Sequence, residues 1–264
     1  MVVVVDNTRG DHPALAQAKQ QLAEQYPLAA PYFRWTTNTQ PKVETGLDKG
    51  SANVPGARVR QQTRDVALAL DLALGAVDPA EVPAITLIME DDFRLCPLGM
   101  LGISQAVRKA NTQDPNWIAI RLSYGLNGVL MHTRDINEFS QYLESRVKAR
   151  PPDHILVEWY CAEQAAAKRY VGDRPHFTFR YNLFDHLGKQ SSLRDTPQGL
   201  FGGCYDVMDQ GNVFEVEAFK INECRHDDIW PCLPASHANA EPPLLLDQLV
   251  KQGQVQARHN GPNK

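Results

Sequence analysis

Ile85-Thr86-Leu87-Ile88-Met89-Glu90-Asp91-Asp92 passes from an apolar run to an acidic one. Residues 84–89 are apolar and rich in branched side chains, a pattern that predicts a buried strand. The strand runs straight into three consecutive acidic residues. In an open α/β sheet, ligands gather outside the carboxyl ends of the strands, so this one delivers carboxylates to the place where chemistry is done. Adjacent carboxylates repel one another unless a cation neutralises them. Hard divalent cations such as Mn²⁺ or Mg²⁺ take carboxylate oxygens and keep positions open for phosphate. The residues alone leave two readings: a metal–diphosphate site, or a solvated acidic turn that caps the next helix.

Outward from this stretch, strands and helices alternate. Residues 1–5 form a β-branched run that predicts a second buried strand. Asp11-His12-Pro13 opens a helix with Leu15, Ala18, Leu22 and Tyr26 at helical spacing. Residues 36–55 are polar and aperiodic, a long loop of the kind that often carries function. A helix over 61–77 leads into the acidic strand. Beyond it, a helix over 97–110, strands over 117–123 and 125–131, and a helix over 135–147 follow. The last has a capping-box pattern, Asp135 and Glu138. A helix over 153–169 and a strand over 176–181 come next, then a compact turn region over 183–193. This alternation predicts an α/β fold with helices flanking the sheet, over residues 1–195. Residues 196–264 read as an irregular extension packed on it. They hold one strand, 213–219, and a polar tail from about residue 251.

Composition narrows the function classes. The chain has 264 residues, 43% hydrophobic and 22% charged, which excludes a disordered or fibrous protein. A net charge of −4 offers no basic field for nucleic acid. No apolar run approaches the roughly 20 residues that span a bilayer, and residues 1–5 are too short for a signal-peptide core. The five cysteines form no C-x-x-C motif, so a zinc ribbon is not expected. Cys204, Cys224 and Cys232 cluster closely enough for one local disulfide, and the odd count leaves at least one thiol unpaired within the chain.

Other residues could carry chemistry. His186 supplies an imidazole, and Gly188, Ser191 and Ser192 supply backbone and hydroxyl donors suited to phosphate. Asp153, in Pro151-Pro152-Asp153-His154-Ile155-Leu156, is either a helix cap or a general base, with Glu158 in reserve. Arg60 and Gln62 lie where the 61–77 helix begins and suit contacts to phosphate or a base carbonyl, or else form a solvated face. His226-Asp227-Asp228 is a second acid–imidazole cluster, read as a surface loop.

The order of these segments carries more than any one of them. Glu90-Asp91-Asp92, then Trp117-Ile118 and Ser123, then Asp153-His154-Ile155-Leu156, then Phe179-Arg180 with Leu183-Phe184, His186, Gly188 and Ser191-Ser192-Leu193, resemble the catalytic domain of the alpha-1,3-mannosyl-glycoprotein 4-beta-N-acetylglucosaminyltransferases. The resemblance covers about residues 1–195. It implies a GT-A fold, inverting transfer from a UDP-sugar to a glycan acceptor, Mn²⁺ or Mg²⁺ as cofactor, and a place in the Golgi lumen. It further implies Asp92 and His186 at the metal, and Asp153 as the base. Glu90, Asp91, Arg60, Gln62, Gly188, Ser191 and Ser192 would then line the nucleotide sugar, with loop 36–55 as a lid. The run of valines near the start matches the family's second strand, so the first strand–helix unit and the membrane anchor of that family are not found here. Two alternatives stand beside this reading. One is a non-catalytic sugar- or protein-binding member of the same fold, and the other is a metal-dependent hydrolase built on the acid–imidazole clusters.

Overall fold

A computed structural model describes residues 1–10, 12, 14–51, 54–188, 202–211 and 213–234. In chain order the elements are β1 (Val2–Asp6), α1 (Leu15–Gln25), β2 (Phe33–Thr37), β3 (Gly50–Ser51), β4 (Val54–Pro55) and α2 (Ala57–Gly75). Then come β5 (Ile85–Ile88), β6 (Phe93–Leu95), α3 (Gly99–Gln113), β7 (Ala119–Arg121), β8 (Val129–His132) and α4 (Ile136–Arg146). The last are α5 (Pro152–Tyr160), α6 (Ala165–Val171), β9 (His176–Phe179), β10 (Phe184–His186) and β11 (Ile229–Trp230). The protein is mixed α/β, as the alternation predicts. The chain divides into two compact units: Met1–Ala84 with Thr133–Leu156, and Ile85–His132 with Val157–Lys264.

In the first unit, β1 and β2 pair in parallel as a two-stranded sheet. The valines of β1 are half-buried or exposed rather than buried as expected, because a two-stranded sheet covers only one of a strand's edges. Helix α1 has its apolar residues at helical spacing, yet no residue of it is buried. Helix α2 begins at Ala57, before the expected start, and it packs on α4. Ser140 Oγ donates to the Ala67 carbonyl at 3.0 Å across that pair. The expected capping box at α4 does not form: Asp135 is in helical conformation at the end of a 3₁₀ turn and makes no side-chain cap bond.

In the second unit a five-stranded sheet runs in the order β11-β9-β7-β8-β5, with β7 and β9 parallel and the other neighbours antiparallel. Trp117, Ile120, Leu122, Phe177, Phe179 and Phe184 are its fully buried core. Each such side chain gains roughly 1.5–3 kcal/mol on leaving water. Strand β5 is only half-buried, in contrast to the sequence expectation, because it is the edge of this sheet. The segment 153–169 is two helices, not one, broken after Tyr160 where Ala162 takes a left-handed φ of 54°.

One strand, β10, stands in the region expected to be a turn, and β6 lies in a stretch given no element. β6 and β10 pair antiparallel and form a short ribbon. The expected strand over 213–219 is instead irregular, with a 3₁₀ turn at Glu215–Glu217. The reason is Glu217: its side chain is drawn into the core by Arg121 and Tyr160, which an extended run exposing alternate residues would not permit. Residues of 202–234 belong to the same core, since Tyr205 and Ile229 join the cluster of Trp117 and Phe177. The boundary expected at residue 195 lies outside the described residues, as does the polar tail.

Two disulfides are present, Cys224–Cys232 and Cys96–Cys204, and Cys161 is a free thiol. The first is the local bridge the clustering permits. The second joins residues 108 positions apart, a pairing that spacing does not suggest. Strand geometry creates it. Cys96 N donates to the Leu183 carbonyl at 2.9 Å and Tyr205 N to the Asn182 carbonyl at 2.8 Å, which brings both cysteines beside Asn182–Leu183.

Candidate functional site

The acidic stretch leaves β5 at Ile88 and turns at Asp91–Asp92 into β6. The β6–β10 register places His186 opposite Phe93. Leu187 N extends the pairing one step by donating to the Asp92 carbonyl at 2.7 Å. Side chains alternate across a ribbon, so His186 and Asp185 face opposite ways. Asp185 pairs with Arg94 at 2.7 Å. His186 turns to Asp92, with Nε2 and Oδ2 at 2.9 Å, and its ring leans on Phe93 with centroids 4.6 Å apart. His186 is mostly shielded and Asp92 half exposed, so the pair is anchored on one side and open on the other.

Gly188 closes the group. A Cβ at this position would overlap Asp92 Oδ2 and lie 3.0 Å from His186 Nε2, so glycine lets the backbone approach the pair. Three residues singled out in the sequence, Asp92, His186 and Gly188, therefore meet at one point. Among the described residues no group of three or more His, Cys, Asp or Glu gathers as a metal cage. A carboxylate oxygen and an imidazole nitrogen are a donor set that suits Mn²⁺, and the open side leaves room for oxygen ligands from elsewhere. The residues fit such an ion.

Glu90 sits at the base of the turn. Its backbone N–H donates to Asn127 Oδ1 at 3.3 Å, and a Cβ on Gly125 would be 3.6 Å from Glu90 Oε2. Asp91 is exposed at the tip. Ser191 and Ser192 lie outside the described residues.

In the other unit, Arg60 is committed within the protein. Its guanidinium bonds Glu44 at 2.9 Å, Asp48 at 2.8 Å and the Pro55 carbonyl at 2.8 Å. The Arg60 side chain beside it holds the Glu44 carboxyl below its ordinary range, and it does the same to Asp48. The neighbouring Gln61, buried, accepts from Val43 N and Glu44 N, both at 2.9 Å. Loop 41–50 is thus tied down on α2, and Gln62 beside it is half-buried. The loop's clasp was legible in principle: Glu44 and Asp48 are spaced four apart, as are Arg60 and Arg64.

Asp153 lies in the first turn of α5, about two-fifths exposed, with His154 Nε2 at 4.0 Å from its carboxylate. Glu158, the reserve candidate, is fully buried. In the second acid–imidazole cluster, Asp227 forms a close ion pair with Lys109, Asp228 lies 3.7 Å from the same ammonium, and His226 Nε2 meets the Leu233 carbonyl at 2.8 Å. Those groups tie residues 226–233 together and to α3. A hollow of about 440 Å³ is lined by Asp209, Gln210, Lys220, Asn222 and Glu223 among others, and it includes neither Asp92 nor His186.

Sequence reasoning passed over a buried charge network beneath the turn. Arg121, 3% exposed, meets Glu217 at 3.1 Å and donates to the Gly125 carbonyl at 2.7 Å. Tyr160 Oη donates to Glu217, and burial pushes that phenol's pKa well up. Only a charge at an inward position of β7 hinted at it. No family model, no curated protein and no solved structure matches the chain.

Proposed function

We propose that the protein is a GT-A-type inverting glycosyltransferase, similar to the alpha-1,3-mannosyl-glycoprotein 4-beta-N-acetylglucosaminyltransferases, that moves a sugar from a UDP-sugar to a glycan hydroxyl. The observation that carries this reading is the meeting of Asp92, His186 and Gly188 across the β6–β10 ribbon. Asp92 lies 94 positions from His186 in sequence, and the resemblance names all three residues. Asp92 and His186 would hold Mn²⁺, which when bound supplies positive charge to a departing diphosphate. Gly188 brings backbone close to the same point, where it can donate to a phosphate oxygen. The resemblance names Asp153, two-fifths exposed in the first turn of α5, as the carboxylate that would take the proton of an acceptor hydroxyl. Inversion needs no covalent nucleophile. Arg60 is bound by Glu44 and Asp48, so a role for it at the nucleotide requires it to leave those carboxylates. The two disulfides suit an oxidising lumen such as that of the secretory pathway.

A thermal-shift screen of UDP-sugars with and without Mn²⁺ tests the reading. A ligand at 100 times its Kd stabilises the native state by about 2.7 kcal/mol. The expected result is a shift with UDP-N-acetylglucosamine that needs Mn²⁺ and is lost in Asp92→Asn. Asp153→Asn should keep the shift and lower sugar transfer roughly 10²–10⁴-fold. Absence of any UDP-sugar shift in the presence of Mn²⁺ would overturn the proposal.

A further inference from the structure

The acid turn is bonded at its base by a residue that no carboxylate pattern reveals. β7 and β8 are joined by Leu122-Ser123-Tyr124-Gly125-Leu126-Asn127-Gly128. Leu122 N closes this loop on the Gly128 carbonyl at 2.8 Å, and Gly128, with φ of 68°, leaves no room for a Cβ against Ser123. Gly128 N then donates to the Ile88 carbonyl at 2.9 Å, the last residue of β5. Past that point the backbone ladder stops. Asn127 takes over: its side-chain Oδ1 accepts from Glu90 N, in the place where a strand carbonyl would stand. The loop itself rests on the buried Arg121–Glu217 pair through the Gly125 carbonyl.

Asn127 is fully buried, and its Nδ2 has no hydrogen-bond partner among the described residues. An unsatisfied buried donor carries its full desolvation penalty, which stability alone does not favour. A turn-forming asparagine bonds its own neighbours. This one reaches across 37 residues to the residue that opens the acid turn. The cost and the reach together mark a residue kept for where it holds something.

We propose that Asn127 is a positioning residue for the acid turn: by fixing the Glu90 backbone it sets how far Asp92 reaches toward a divalent cation. This rests on the metal reading of Asp92 and His186 given above. The carboxamide oxygen does the holding, so an aspartate keeps the contact and an alanine removes it.

Calorimetric titration of Mn²⁺ in the presence of UDP, on wild type, Asp92→Asn, Asn127→Ala and Asn127→Asp, tests it, alongside melting of each metal-free protein. Loss of a group that orients a metal ligand commonly costs 10–100-fold in affinity, so Asn127→Ala should bind Mn²⁺ about 10-fold more weakly. Its metal-free melting point is read beside this, because the truncation also takes that acceptor from Glu90 N, and the weaker binding counts where the protein is folded at the titration temperature. Asn127→Asp should bind within about 3-fold of wild type, as expected if the acceptor oxygen is what matters. If Asn127→Ala fails to fold, Asn127→Ser, whose hydroxyl is too short to reach Glu90 N, is read in its place. Wild-type affinity in the alanine or serine variant, or equal loss in the alanine and aspartate variants, overturns the positioning role alone. If wild type binds no Mn²⁺, or Asp92→Asn binds it equally well, the metal reading fails and takes this inference with it.

Discussion

The two units are held together by different physics. In the first, the sheet has two strands, α1 buries nothing, and much of the ordering comes from ion pairs that keep part of their surface in solvent. Arg9 meets Asp65 at 2.7 Å, Arg60 clasps Glu44 and Asp48, and Arg64 meets Glu144 at 2.6 Å. In the second, a five-stranded sheet buries aromatic residues, two disulfides close the chain on itself, and the principal ion pair is inside. Exposed pairs are screened and give little. Buried pairs are costly to break, because the survivor is a naked charge in a poor solvent. The difference teaches where each unit is brittle. The second fails at single interior atoms, while the first loosens by degrees.

Breaking the interior pair should have the largest effect. Glu217→Ala takes a carboxylate away from the buried Arg121 guanidinium and should cost about 3–5 kcal/mol in denaturant unfolding. Replacing both partners by apolar residues, Arg121→Met with Glu217→Leu, should recover most of that loss. An equal loss in the double variant would mean that the packing around the pair, not its charge, is what matters. Next, Cys96→Ser with Cys204→Ser opens a long loop and should cost about 2–4 kcal/mol, read by the same unfolding curves. In the first unit, Arg60→Ala should cost only about 1 kcal/mol and should raise amide exchange at Val43 and Glu44. Added salt should mimic it there and leave the amides of β7 and β9 unmoved.

Acid should separate the units by pH. Burial holds the His176 imidazole below its ordinary value, against the raising influence of the Val216 carbonyl and Glu217. Its unfolded form takes a proton first, so its contribution is complete above about 6.5 and falls as pH drops toward the lower folded value. Glu44 behaves with the same sign, but from its ordinary 4.5 downward. The second unit should therefore lose stability first on acidification. Melting curves from pH 7.5 to 4 for wild type and His176→Gln check this, and a matching slope above pH 5 in both would remove His176 from the account. The smallest effect is chemical. Burial pushes the Cys161 thiol up to about 12, so with both disulfides intact it should resist alkylation at pH 8 until the protein unfolds.

What was legible in the sequence followed from local pattern. Alternating strands and helices, the acid turn after β5, and the two ends of the Asp92–His186 contact all sit in segments whose periodicity or composition announces them. What was missed depends on contacts between distant segments. β6 and β10 are three residues each, too short to alternate visibly, and they become strands only by pairing with each other. The run 213–219 alternates like a strand, but a buried arginine captures its glutamate. Asn127 looks like one more turn residue until the chain that crosses it is in place. The clasp of loop 41–50 is hidden for the opposite reason: its charges are plain in the sequence, but Arg60 there suits a ligand or solvent as well as it suits Glu44 and Asp48.

The division of the chain has a consequence for its birth. The first unit takes its last helix, α4, from beyond residue 132, and the second waits for Cys204, Glu217 and Ile229 to complete a core begun at Ile85. Neither unit is finished when the ribosome has made half of the polypeptide. A nascent chain stopped at residue 132 holds α2 without α4 and Arg121 without Glu217, and such half-built surfaces are what chaperones meet. Assembly here is a matter of timing: the stretch that opens the acid turn must wait for the better part of the remaining chain to be synthesised before its surroundings exist.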